Sequence, residues 1–97
     1  MKETITIEKI GRSVGIRLNP VILDQLKLDH KDQIKITILE TIKGSGDLKQ
    51  IKSQLIFYGQ LIRSGNSLAV TIKKRRLEVL DINIGDVFNV DIEKISQ

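Results

Sequence analysis

Apolar and polar residues alternate near the start of each half of the chain. Ile5-Thr6-Ile7 and onward to Ile10, and Leu55 to Ile62, keep the period of two expected of half-buried strands. Each run meets a small polar turn, Gly11-Arg12-Ser13 or Gly65-Asn66-Ser67, after which Gly15-Ile16-Arg17-Leu18 and Ala69-Val70-Thr71-Ile72 resume the alternation. The pattern predicts a hairpin with a polar, basic tip in each half. A short helix follows. Asn19 is placed to cap it with Pro20 at the first helical position, and Val21, Ile22, Leu23 and Leu26 form a narrow apolar face. The corresponding helix, around Arg75 to Leu80, opens on Lys73-Lys74-Arg75-Arg76, four cations at the positive end of a helix dipole. A turn with Asp32, or with Gly85-Asp86, leads into a last strand, Ile34 to Ile38 in one half and Val87 to Ile92 in the other. Leu48 to Gln54 suits a further strand or a helical turn equally well.

The halves are one pattern written twice. An ungapped offset of 54 positions puts Gly11 on Gly65, Ser13 on Ser67, Leu23 on Leu77, Leu26 on Leu80, Asp32 on Asp86 and Ile38 on Ile92. Pairs such as Val14/Leu68, Gly15/Ala69, Ile16/Val70, Leu18/Ile72, Leu28/Ile82, Ile34/Phe88 and Ile36/Val90 keep size and polarity between these matches. The expected organisation is a first repeat over 1–43, a linker over 44–54 and a second repeat over 55–97, with Lys43-Gly44-Ser45-Gly46-Asp47 a flexible, turn-like stretch where the first repeat meets the linker. Neither strand–turn–strand–helix–strand unit carries enough apolar surface to stand alone, so one shared core, and one barrel, is expected.

Composition narrows the class. Ninety-seven residues leave no room for a scaffold domain plus a catalytic one, which favours a binding protein over an enzyme. No cysteine means no disulfide framework or thiolate metal site, and no apolar run is long enough for a signal peptide or a membrane span, so a cytoplasmic protein with no membrane partner is expected. The lone His30 has no companion ligand and reads as an exposed loop residue. Asp32 and Asp86 read as turn-capping residues, and neither a nucleophile–base pair nor a phosphate-binding glycine loop is present, so no catalytic residue, cofactor or metal is expected.

The net charge of +4 is modest, but its distribution is not uniform. No acidic residue falls between Leu48 and Leu77, where Lys49, Lys52, Arg63, Lys73, Lys74, Arg75 and Arg76 lie, nor between Lys9 and Leu23, where Lys9, Arg12 and Arg17 lie. Lys9, Arg12, Arg17 and Arg63 suit charge-assisted bonds to phosphate, and a guanidinium can fork onto a guanine edge. Taken singly, each could equally be a solvated strand residue. Asn66 can bond a base edge or simply tolerate a left-handed turn, and Ser13 and Ser67 can bond phosphate or stabilise the turn. The run from Lys73 to Arg76 is a phosphate clamp or a solvated helix face.

Arg63 and Gly65-Asn66-Ser67-Leu68-Ala69-Val70-Thr71-Ile72, followed by Leu77, Leu80, Ile82 and Gly85-Asp86-Val87, resemble the DNA-binding module of the AbrB/MazE/SpoVT superfamily. Lys9 to Leu18 resembles the same motif with Arg12 in place of the usual Asn, and keeps a return-strand Arg17 where the second copy has Thr71. The usual Pro after the return strand is shifted, with Asn19-Pro20 in one copy and Lys73-Lys74 in the other. The resemblance implies a mainly β fold with short helices, a swapped-hairpin AbrB-type barrel formed by two tandem repeats, with both tips facing double-stranded DNA. It implies DNA contacts by Lys9, Arg12, Ser13, Arg17, Arg63, Asn66, Ser67, Thr71, Lys73 and Lys74. Such barrels normally form between two chains; here the expectation is a pseudo-dimeric monomer or a homodimer.

A sequence-specific, non-enzymatic transcriptional regulator is the reading these residues favour. The alternative is the antitoxin of a type II toxin–antitoxin pair that binds a ribonuclease toxin, with Leu48 to Phe57 as the first place to look for toxin contact. Antitoxins of the family usually continue into an extended toxin-binding tail, whereas this sequence stops at Gln97 just after the last strand, which places that reading second. A nucleoid-coating role without sequence preference comes third.

Overall fold

A computed structural model describes residues 1–42 and 48–95, with side chains described for 1–42 and 55–95. The turn expected over 43–47 lies outside the described residues. The elements are β1 (Lys2–Ile10), β2 (Ser13–Leu18), α1 (Pro20–Gln25), β3 (Gln33–Ile42), β4 (Leu48–Gln60), β5 (Ile62–Ser64), β6 (Ser67–Ile72), α2 (Lys74–Val79) and β7 (Val87–Lys94). The fold is mainly β with two short helices, as expected. For Leu48 to Gln54 the backbone takes the strand, as part of β4.

Seven antiparallel strands form one sheet in the order β4-β3-β7-β1-β2-β6-β5. Hydrogen bonds do not close it into the expected barrel. Its edges, β4 and β5, are consecutive in the chain and meet at Leu61, where the backbone leaves the ladder to pair with a loop instead: Leu61 N–H donates to the Asp32 carbonyl at 2.8 Å, and Lys31 N–H donates to the Leu61 carbonyl at 3.0 Å. The sheet nonetheless folds over on itself. A Cβ on Gly59 of β4 would sit 2.4 Å from Val70 Cγ1 on β6, although four strands separate β4 from β6 in the sheet order. No helix among the described residues is long and apolar enough to cross a membrane.

The register repeats at the 54-residue offset. Glu3 pairs with Val90 and Thr4 with Asn89, while Phe57 pairs with Ile36 and Tyr58 with Lys35. The opening strand of each half therefore pairs with the closing strand of the other half. Lys9 faces Val14 as Arg63 faces Leu68. At the centre, Ile16 pairs with Val70 and Thr37 with Asp91, two pairs that the offset maps onto themselves. The six described residues at positive φ fall into three such pairs: Gly11 and Gly65, Lys27 and Asp81, Lys31 and Gly85. Ile7 repeats the loop bonds of Leu61, its N–H donating to the Asp86 carbonyl at 2.8 Å while its carbonyl accepts from Gly85 N–H at 3.0 Å.

The core is aliphatic, as the composition requires. Ile7, Ile16, Leu18, Ile34, Ile36, Ile38, Leu61, Phe88, Val90 and Ile92 are all essentially buried, and each such side chain contributes about 1.5–3 kcal/mol of transfer free energy. Both turn aspartates act as caps: Asp32 accepts from Asp29 N–H at 2.8 Å and Asp86 from Asn83 N–H at 2.9 Å. Asn19 caps α1 by accepting from Ile22 N–H at 2.9 Å, with Pro20 next, as expected. Val21 departs from the expected apolar face, being 57% exposed, and the burial falls to Ile22. In β3 Ile34, Ile36 and Ile38 are buried as expected and Leu39 is exposed; a bulge between Ile38 and Glu40 then shifts the phase, so that Thr41 is buried. Met1 is docked against the closing strand, its ammonium 2.7 Å from Asp91. That hydrogen bond, opposed by desolvation and aided by the charges of the N-terminus, Lys2 and Lys35, holds the Asp91 carboxyl below its ordinary range.

Candidate nucleic-acid interface

The two hairpins lie side by side through the β2–β6 ladder, running antiparallel, so their turns sit at opposite ends of it. Ser13 and Ser67, the residues that leave the two turns, are separated by about 20 Å of ladder at about 3.4 Å per residue. Gly11 and Gly65 both adopt φ of 60°, the left-handed geometry that lets each chain reverse in two residues. That geometry leaves Arg12 and Asn66 exposed at the tips.

Alternation decides which face each side chain takes. Ile16, Leu18, Val70 and Ile72 point into the core, so Gly15, Arg17, Ala69 and Thr71 fall on the opposite face. Gly15 is required there by close approach: a Cβ would lie 2.1 Å from the Val70 carbonyl oxygen and 2.8 Å from Thr71 Cα. Gly15 and Ala69 are both buried, so the exposed side chains lie towards the two ends of the ladder.

The ten expected residues divide. Arg12, Ser13, Thr71, Lys73 and Lys74 line one groove of about 830 Å³ between the first hairpin tip and the start of α2. Glu78 and Asp81 line it too, tempering its positive charge. Lys9 is exposed on β1, one residue before the buried Ile10. Arg63, Asn66 and Ser67 belong to the second tip, with Arg63 and Asn66 exposed and Ser67 half-buried. Lys73 caps nothing with its side chain, and its ammonium is exposed beside the groove.

Arg17 is not the free cation expected. Its guanidinium donates to the Ser64 carbonyl at 3.2 Å and its Nε lies 3.9 Å from Glu8 Oε1. One of its five N–H donors is thereby used to tie the first hairpin to the second, leaving others for an anion. Glu8 on this face is a residue the sequence did not single out. Its signal was available: on a strand, Glu8 alternates with buried Ile7 and so shares a face with the outward residues of β2.

The basic run at α2 splits between two surfaces. Lys73 and Lys74 reach the groove at the first tip, whereas Arg76 lies over the Phe57 ring at 5.0 Å, a cation–π contact. Arg75 lines the Phe57 side as well. Of the stretch from Leu48 to Phe57 considered for toxin contact, the side chains up to Gln54 lie outside the described residues. His30 is exposed in its loop, and no group of three or more His, Cys, Asp or Glu among the described residues is placed to hold a metal ion. Comparison with protein-family models, with curated proteins and with solved structures finds no match for the chain.

Proposed function

We propose that this protein is a sequence-specific, non-enzymatic DNA-binding regulator, with its two halves acting as the paired modules of a swapped-hairpin fold of the AbrB/MazE/SpoVT type. The observation that carries the reading is the exchange of strands between halves, β1 with β7 and β4 with β3, in registers related by the 54-residue offset. Two hairpins, each with basic residues near its tip, then lie side by side in one sheet. That is the arrangement a pseudo-twofold DNA reader needs, and here it is contained in a single chain.

The chemistry of the face fits a duplex. Lys9, Arg12, Arg63, Lys73 and Lys74 supply exposed cations for phosphates, while Asn66 and the two serines supply directional donors. The halves differ where they would read DNA: Arg12 stands against Asn66, and Arg17 against Thr71. The preferred site is therefore only approximately palindromic, since each tip offers different hydrogen-bond chemistry to its half.

The test compares binding to the DNA upstream of the protein's own gene with binding to shuffled DNA of the same composition at physiological salt. A clear preference for the upstream fragment is expected. Equal binding to both would replace this reading with a coating role that has no sequence preference.

A further inference from the structure

The halves part company most at α2. Where α1 buries Ile22 in the core, α2 buries no residue, and the position 54 beyond Ile22 is Arg76, stacked on Phe57. The result is a groove of about 540 Å³ between α2 and β4, floored by Leu55, Ile56 and Phe57 and walled by Val79 and Leu80. Lys73, Arg75 and Arg76 rim it, and among the described residues no carboxylate lines it. Val79 is 75% exposed and Ile56 36%.

We infer that this groove docks an extended segment of a partner protein in which aliphatic side chains alternate with carboxylates. Each part of the groove answers one property of that segment. β4 is an edge strand, hydrogen-bonded in the sheet to β3 alone, so its other edge offers backbone groups to an added strand. The floor accepts aliphatic side chains from one face of that strand. The rim of three cations pairs with carboxylates, and Arg76 is held at that rim by its cation–π contact with Phe57, 5.0 Å from the ring centroid. The N-terminal half has Asn19, Val21 and Ile22 where the rim cations stand, so the site exists once per chain. Arg75 and Val79 line this groove and not the one at the first hairpin tip, whereas Lys73 lines both, so the two surfaces adjoin along Lys73.

The experiment uses the full chain and a short capped peptide in which valine and glutamate alternate, followed by backbone amide shifts. Shifts are expected to concentrate at Leu55 to Phe57 and at Arg76 to Val79. Val79→Ser, a change at an exposed position that keeps the local charge, should weaken the peptide about tenfold and leave DNA affinity unchanged, and Arg75→Gln should weaken peptide binding more than it weakens DNA binding. Three results would overturn the inference: no shifts in this groove, equal binding by a glutamate-only peptide or by one with lysine for glutamate, or displacement of the peptide by a DNA duplex. The last would make the groove part of the DNA face, whereas failure to bind DNA at all would leave the peptide result standing.

Discussion

The Arg17 guanidinium reaches across β6 to donate to the Ser64 carbonyl on β5 at 3.2 Å, so a single side chain binds the two hairpins into one surface. Thr71, at the matching place in the second half, is too short to make the reciprocal bond. Arg17→Ala should cost about 1 kcal/mol, below the range of about 1.5–3 kcal/mol for a charged donor because the side chain is partly exposed. Chemical denaturation measures this. Arg17→Lys should recover DNA affinity better than stability, because the ammonium keeps the charge and loses the forked donor geometry.

Thr71→Arg adds a cation at the twofold-related position on the same face. The slope of log affinity against log salt should steepen by about one, the increment for one more phosphate contact. An unchanged slope would mean that Thr71 does not face phosphate in the complex.

Gly15 is the position where two strands come too close for any side chain. Gly15→Ala should destabilise by about 1–3 kcal/mol as the β2–β6 ladder is forced apart. Its counterpart Ala69 already carries a Cβ, so Ala69→Gly should cost only about 0.5–1 kcal/mol, the conformational penalty of glycine in a strand. Thermal melts of both variants check the contrast; equal losses would mean that the close approach is absent.

Lys31 holds φ of 74° at the place where the other half has Gly85. Relief of left-handed backbone outweighs the added freedom of glycine, so Lys31→Gly should stabilise by about 1 kcal/mol. Gly85→Lys should have the opposite sign, and melting temperatures of the pair decide it.

What the sequence made legible was local. Turn glycines, the Asn19–Pro20 start of α1 and the two capping aspartates announce themselves because their physics lies within a few residues of chain. The offset of 54 added more, since it tied unlike segments such as Ile34 to Ile38 and Phe88 to Ile92 to the same role. What stayed hidden depends on distant partners. The break at Leu61 is set by Asp32, the small size of Gly15 by the Val70 backbone, and the stacking of Arg76 by Phe57. The internal bond of Arg17 was hidden for the same reason, because Ser64 stands 47 residues away. An open sheet in place of a closed barrel likewise follows from how the β4–β5 segment meets a loop, which no alternation pattern encodes.

The most direct test of DNA recognition by the hairpins is the affinity of wild type, Arg12→Ala and Arg63→Ala for the upstream duplex, measured across a range of salt. Each variant is expected to lose about tenfold in affinity, with a salt slope shallower by about one, as the loss of one cation contact requires. Wild-type affinity and slope in both variants would contradict the placement of the hairpin tips on DNA.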